Sequence, residues 1–177
     1  SFGLWVEQLL AESIGKDGRG IVPVVGEPGM APEFYGDDRF FVYLRLEGDE
    51  NGASDAAVER LEAAGQPVLR LELDDRYDLG GEFFRWEFAT AVAGVVFGIN
   101  PFDQPNVQSA KDATNRVIEG YVQSGELPAA ETTGSLDGLL AAAKSGDYLA
   151  IMAYVCESPE MDEAFAGLRQ RVIEHHR

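Results

Sequence analysis

The chain has 177 residues, 45% of them hydrophobic, and a formal net charge of −17, which is enough material for one domain with a sizeable core. That charge argues against nucleic acid and anionic membrane as partners, because both demand cationic patches, but a small phosphorylated ligand needs only a few placed cations. The longest apolar run, residues 88–99 with one threonine, is too short to cross a bilayer and fits a buried helix.

In chain order, Phe2, Val6, Leu9, Leu10 and Ser13 recur at helical spacing and predict an amphipathic helix over 2–15. Gly15-Lys16-Asp17-Gly18 supplies its stop signal. Residues 21–25 predict a short buried strand, weakened by Pro23, and 26–38 a loop rich in Gly and Pro. The apolar, β-prone stretch 40–46 is the clearest strand. Ser54 is the expected N-cap of a helix over 55–64 that ends at Gly65. Residues 68–73 alternate like a half-buried strand, and 81–98 predict a long central helix with Arg85 and Glu87 embedded in it.

A turn braced by Pro101 and Pro105 follows. Pro105 suits the first position of a helix over 105–123, with Gln104 as its cap and Lys111 about two turns in on nearly the same face. Ser135 opens a short helix through Lys144, 148–155 predict a continuous apolar strand, and Ser158-Pro159 start a final helix running to the C-terminus. Strands that alternate with helices imply parallel pairing. The expected fold is therefore α/β, a doubly wound, mostly parallel sheet with helices on both faces and four visible strands. Ligands of such sheets bind outside the carboxyl ends of the strands, so loops 26–38 and 74–80 are candidates for the binding rim.

Three polar constellations could carry chemistry. In Glu12-Ser13-Ile14-Gly15-Lys16, Glu12 follows Trp5 and Leu9 at helical spacing, at the edge of the apolar stripe. A partly buried carboxylate there could act as a general base; a solvated helix-end glutamate is the plainer alternative. Arg85-Trp86-Glu87 reads as a buried structural ion pair. The corner Gly98–Lys111 presents an amide, Gln104, and a cation, Lys111, as one wall of an anion or sugar-phosphate site. Lys16, Lys111 and Lys144 are the only lysines, against eleven arginines.

Metal and nucleotide cofactors have no support in the sequence. His175 and His176 are adjacent in the final residues and read as a solvated tail, and neither a dinucleotide fingerprint nor a P-loop is present. Cys156 is the single cysteine and no targeting pattern is visible, so a reducing, cytoplasmic setting is expected. The opening residues already have mid-helix character, and a fragment of a longer chain is expected.

Phe102-Asp103-Gln104, followed by Val107 and Lys111, resembles the C-terminal signature of phosphoglucose isomerases, F-D-Q-x-G-V-E-x-x-K. Glu12-Ser13-Ile14-Gly15-Lys16 resembles the E-S-x-G-K element of the same family, in the same order. Asp78-Leu79-Gly80-Gly81-Glu82-Phe83-Phe84-Arg85-Trp86-Glu87 and Asn100-Pro101-Phe102-Asp103-Gln104-Pro105-Asn106-Val107 are similar to the isomerase half of bifunctional transaldolase/glucose-6-phosphate isomerases. The resemblance extends from residue 2 to about 155 and covers all the predicted elements except the last helix.

The resemblance implies a sugar isomerase (SIS) domain of the α/β type that interconverts glucose 6-phosphate and fructose 6-phosphate without metal or nucleotide. It implies Glu12 as the base moving a proton between C1 and C2 through a cis-enediol, Lys111 near the sugar oxygens, and Gln104 beside the bound sugar phosphate. It also implies homo-oligomers, or contact with further domains of the same chain. Asn106 and Gln108 depart from the usual glycine and glutamate. Residues 1–174 contain no histidine to match the family's ring-opening residue. The phosphate-clamping loop normally lies upstream of the E-S-x-G-K element, so an incomplete active site is expected. A noncatalytic SIS-type module that binds a sugar phosphate and regulates a partner is the alternative, and a purely structural acidic domain a third.

Overall fold

The computed structural model describes residues 1–27, 29–103, 105–129, 134–144 and 146–175. They contain helices α1 (Phe2–Ile14), α2 (Gly52–Ala63), α3 (Leu79–Phe97), α4 (Pro105–Ser124), α5 (Leu136–Ala142) and α6 (Pro159–His175), and strands β1 (Phe41–Leu46) and β2 (Val68–Leu73). The chain forms two compact units, Ser1–Pro101 with Ser158–Arg177, and Phe102–Glu157.

In the first unit β1 and β2 pair in parallel, Phe41 opposite Val68 through Leu46 opposite Leu73, and α2 is the crossover between them. The βαβ pattern of the sequence is thus real, and the chain is mixed α/β with a small parallel sheet. Side chains alternate across strands, so Tyr43, Arg45, Arg70 and Glu72 share one face of this ribbon. Helix α2 answers that face with carboxylates. The Arg45 Nε donates to Asp55 Oδ1 at 3.2 Å, Tyr43 donates to the same oxygen at 3.0 Å, and Arg70 grips Glu62 through two bonds of 2.9 and 2.8 Å. Hydrogen bonding to Arg70 holds the Glu62 carboxyl below the usual carboxylate range, and burial with the Asp55 contact raises the Tyr43 phenol. The helix starts at Gly52 with Asn51 as N-cap, not after Ser54 as expected. Asn51 wins because its side-chain amide donates to Leu46 O at 2.7 Å, tying the helix start to the end of β1.

Helices α1 and α3 pack together. Phe2, Trp5 and Phe83 form an aromatic trio with centroids 4.5 to 5.5 Å apart. Val6 and Ile14 are buried on α1, and Glu82, Thr90 and Gly94, four or eight positions apart, on α3. Only one face of α3 is buried, although its apolar sequence predicts a helix buried all round. Phe84, Phe88, Val95 and Val96 are 63–81% exposed. Small and polar residues let α3 approach closely on one side, and its large apolar residues stand on the other.

Two expected strands do not form. Residues 21–25 run without strand pairing, with Ile21, Val22 and Val24 exposed and Val25 lying against Gly3. Pro23 removes a donor from this short segment, and the helix–glycine contact takes the place of a ladder. Residues 148–155 are likewise unpaired and exposed along their described length. A run that is apolar on both faces becomes a strand only when something covers both faces. In the second unit no described residue is buried, and only Val107 and Leu140 are half-buried. The expectation of a four-stranded doubly wound sheet therefore meets two strands among the described residues.

Candidate active site

Glu12 stands in the last turn of α1 and is exposed, its Oε2 accepting from Gln8 Nε2 at 3.4 Å. The partial burial expected of it is absent for a geometrical reason. Val6 and Ile14 mark the buried face, and at 100° per residue Glu12 falls about 120° from Val6 and about 160° from Ile14 around the helix. The carboxylate is therefore open to a ligand arriving from outside and is not held in a dry pocket of this unit.

Four residues on, the chain turns back. Asp17 and Gly18 adopt positive φ, 55° and 69°, and bring Arg19 opposite Lys16, with Lys16 N donating to Arg19 O at 3.1 Å and Arg19 N to Lys16 O at 2.9 Å. Asp-Gly is the dipeptide such a tight turn favours. Lys16 is 8% exposed and donates from Nζ to Asn100 O at 2.8 Å. Arg19 donates from its guanidinium to Phe97 O. A buried charge-assisted hydrogen bond of this kind contributes about 1.5–3 kcal/mol.

The acceptors lie where α3 ends. Gly98 takes the left-handed conformation, φ 69° and ψ 34°, its N–H bonding Val95 O at 3.2 Å while Ile99 N bonds Gly94 O at 3.0 Å. This paired capping arrangement uses the glycine that the sequence placed there. Pro101 then folds onto α3 so closely that a Cβ on Gly94 would lie 2.7 Å from two of its ring carbons. The lysine of the E-S-x-G-K element thus holds the carbonyl of the asparagine that opens Asn100-Pro101-Phe102-Asp103. Two motifs separated by more than eighty residues are physically joined.

The remaining expected residues fall elsewhere. Gln104 lies outside the described residues. Lys111 is exposed on α4, in an open groove with Val107, Ala110, Thr114 and Asn115, residues at helical spacing on one face. Glu12 belongs to the first compact unit and Lys111 to the second. Glu87 is exposed, and Arg85 pairs instead with Glu82, Nη1 to Oε1 at 3.1 Å. Sequence reasoning gave Glu82 no role, yet it is 3% exposed and its Oε2 has no hydrogen-bond partner among the described residues. The available signal was the ridge Glu82, Trp86, Thr90, Gly94 at intervals of four, which puts Glu82 on the same face as the small residues Thr90 and Gly94.

The rim also needs correction. Gln66, just before β2, donates to Tyr35 O at 3.4 Å, and Tyr35 packs edge-on against Phe41 at 5.0 Å. This part of loop 26–38 therefore sits at the amino ends of the strands. Residues 74–76 do lie at the carboxyl ends, in an open depression with Leu46, Glu47, Gly48 and Asp49. Its acidic lining repels a phosphate. One of these acids, Asp75, serves the chain itself, its Oδ1 accepting from Tyr77 N at 2.6 Å, and nearby Asp78 Oδ2 accepts from the amides of Asp74 and Asp75 at 2.8 and 3.2 Å. These bonds form a capping box at the approach to α3. Among the described residues no group of three or more His, Cys, Asp or Glu gathers as a metal site would require, and no helix is long and apolar enough to cross a membrane.

The described residues thus form a mixed α/β protein with a small parallel βαβ unit. No protein-family profile matches the chain. Curated relatives do. It is 28% identical over 151 residues to a probable glucose-6-phosphate isomerase of Methanococcus maripaludis, covering 68% of this chain and 34% of that protein. It is 29% identical over 153 residues to a probable glucose-6-phosphate isomerase of Haloarcula marismortui, covering 68% and 35%. It is 31% identical over 146 residues to a glucose-6-phosphate isomerase of Lactobacillus helveticus, covering 62% and 33%. These similarities support a relationship with the phosphoglucose isomerase family. The chain spans about a third of the length of the curated relatives it matches.

Proposed function

We propose that this chain is the second, doubly wound SIS domain of a longer enzyme that interconverts glucose 6-phosphate and fructose 6-phosphate, of the type in which the isomerase is joined to a transaldolase. The observation that carries the reading is the similarity of about two thirds of the chain to glucose-6-phosphate isomerases. The order of the two motifs and the Lys16–Asn100 bond between them support it. The resemblance to the bifunctional type, over 78–87 and 100–107, supports the transaldolase context.

In this reading Glu12 takes the proton from C2 of the open-chain aldose, giving a cis-enediol, and returns it to C1 of the ketose. Lys111 offsets the negative charge that develops on the sugar oxygens, and Gln104 binds beside the phosphate. Because Glu12 is exposed within its own unit, the water exclusion that the chemistry needs comes from other parts of the assembled enzyme, as do the phosphate clamp and the ring-opening group. The enzyme acts on soluble sugar phosphates in the cytoplasm, as a homo-oligomer or through contacts among domains of one chain. The chemistry calls for neither metal nor nucleotide.

Replacing Glu12 by glutamine in the intact protein keeps the size and hydrogen bonding but removes the base. Turnover is expected to fall by about 10³-fold or more while fructose 6-phosphate binding changes little. Near-normal turnover in Glu12→Gln removes it from the base role. Saturable binding with no turnover in the unmodified protein selects the noncatalytic regulatory module.

A further inference from the structure

We propose that Lys16 and Arg19 are positioning residues for this reaction: a two-pronged cationic clamp that fixes the start of the segment leading to Gln104 and Lys111 onto the end of the helix that carries Glu12. The proposal rests on the isomerase reading and adds to it a role for two residues that touch no substrate.

The first support is the cost of the arrangement. The ammonium of a residue only 8% exposed loses hydration that well-placed acceptors restore, and a methionine would fill the same space without that loss. Packing alone therefore does not call for lysine. What lysine adds is direction, including a bond of 2.8 Å to a carbonyl 84 residues away.

The second support is the choice of acceptor. Asn100 precedes a proline, which bars it from continuing the helix, so its carbonyl lies past the ladder of α3. Arg19 takes Phe97 O, at the last residue of α3. Two cations thus meet the negative end of the helix macrodipole, and each fixes a different point of the exit turn. The left-handed Gly98 lies between those points, and Pro101 locks onto Gly94 just beyond them.

The third support is the short lever between clamp and base. Lys16 lies four residues after Glu12, just past the end of α1, and its own amide also bonds Ile14 O at 3.0 Å. Movement of the exit turn and movement of the Glu12 helix end are therefore coupled through one buried side chain. Reacting groups displaced by about 1 Å cost on the order of 100-fold in rate, so a clamp of this kind shows in turnover before it shows in binding.

The test uses the intact protein and three variants, Lys16→Met, Lys16→Arg and Arg19→Met, with kcat, KM and hydrogen exchange at the Gly98 and Ile99 amides as readouts. Lys16→Met is expected to lower kcat about 100-fold with KM changed by less than about threefold, and to speed exchange at both amides. Lys16→Arg, which restores a donor, is expected to recover at least about tenfold of that loss. Arg19 is exposed, so Arg19→Met folds whatever happens to Lys16→Met, and a roughly tenfold fall in its kcat supports the clamp. Loosened amides with unchanged kcat in folded Lys16→Met, or unchanged kcat in Arg19→Met, overturn it and leave a merely structural staple; the isomerase reading survives either result. Absence of turnover in the unmodified protein overturns both together.

Discussion

The two segments that carry the proposed base, Glu12, and the proposed cation, Lys111, are built in opposite ways. The Glu12 end belongs to a unit with a packed interior: α1 lies on α3, Ile14 is fully buried, and Lys16 and Arg19 tie the turn at Gly98–Pro101 to the helix terminus. The Lys111 end belongs to a unit in which no described residue is buried, and α4 carries Val117, Ile118, Tyr121 and Val122 at 41–77% exposure. The first end has its geometry fixed by its own unit. The second has the sequence of a helix that packs on something, and the described residues of its own unit leave it exposed. A general base needs an exact position relative to a carbon-bound proton, whereas a cation acting on spread charge tolerates more latitude. The difference in construction matches the difference in demand between the roles proposed for Glu12 and Lys111.

The largest test of the comparison acts on the open end. Lys111→Met in the intact protein is expected to lower kcat about 10²- to 10³-fold, as removal of one stabiliser of developing charge does, while leaving thermal stability unchanged. A stability loss in place of a rate loss would assign Lys111 to packing. A smaller effect belongs to the anchored end. Gly94→Ala places a methyl 2.7 Å from two carbons of Pro101, and overpacking of this kind costs about 1–3 kcal/mol, read as a lower urea midpoint. The smallest is its counterpart in α4. A Cβ on Gly120 meets nothing within 4 Å, so Gly120→Ala is expected to stabilise by about 0.5–1 kcal/mol through helix propensity. Equal responses at the two glycines would erase the contrast between the ends.

Much of the first unit was legible because its signals are local. Alternation in 68–73, the apolar stretch at 41–46 and the glycines at 65 and 98 each specify a conformation through short-range sterics, and β1, β2, α2 and α3 follow them. Ser135 likewise caps α5 as expected, accepting from Gly138 N. Residues 21–25 and 148–155 were misread because an apolar run records a preference for burial and not the presence of a neighbour. Without a paired strand on either side, both remain irregular. The position of Glu12 was legible and its environment was not, since burial depends on which arc of α1 meets α3. Lys16 was singled out by motif alone. That it donates to Asn100 O is a long-range fact that no local pattern encodes.

The central claim is that the intact protein moves a proton between adjacent carbons of a hexose phosphate. Fructose 6-phosphate incubated with it in deuterated water, followed by mass spectrometry of the recovered glucose 6-phosphate, tests this directly. The account predicts deuterium at C2, lost when Glu12 is replaced by glutamine. Saturable binding with no label at C2 would contradict it.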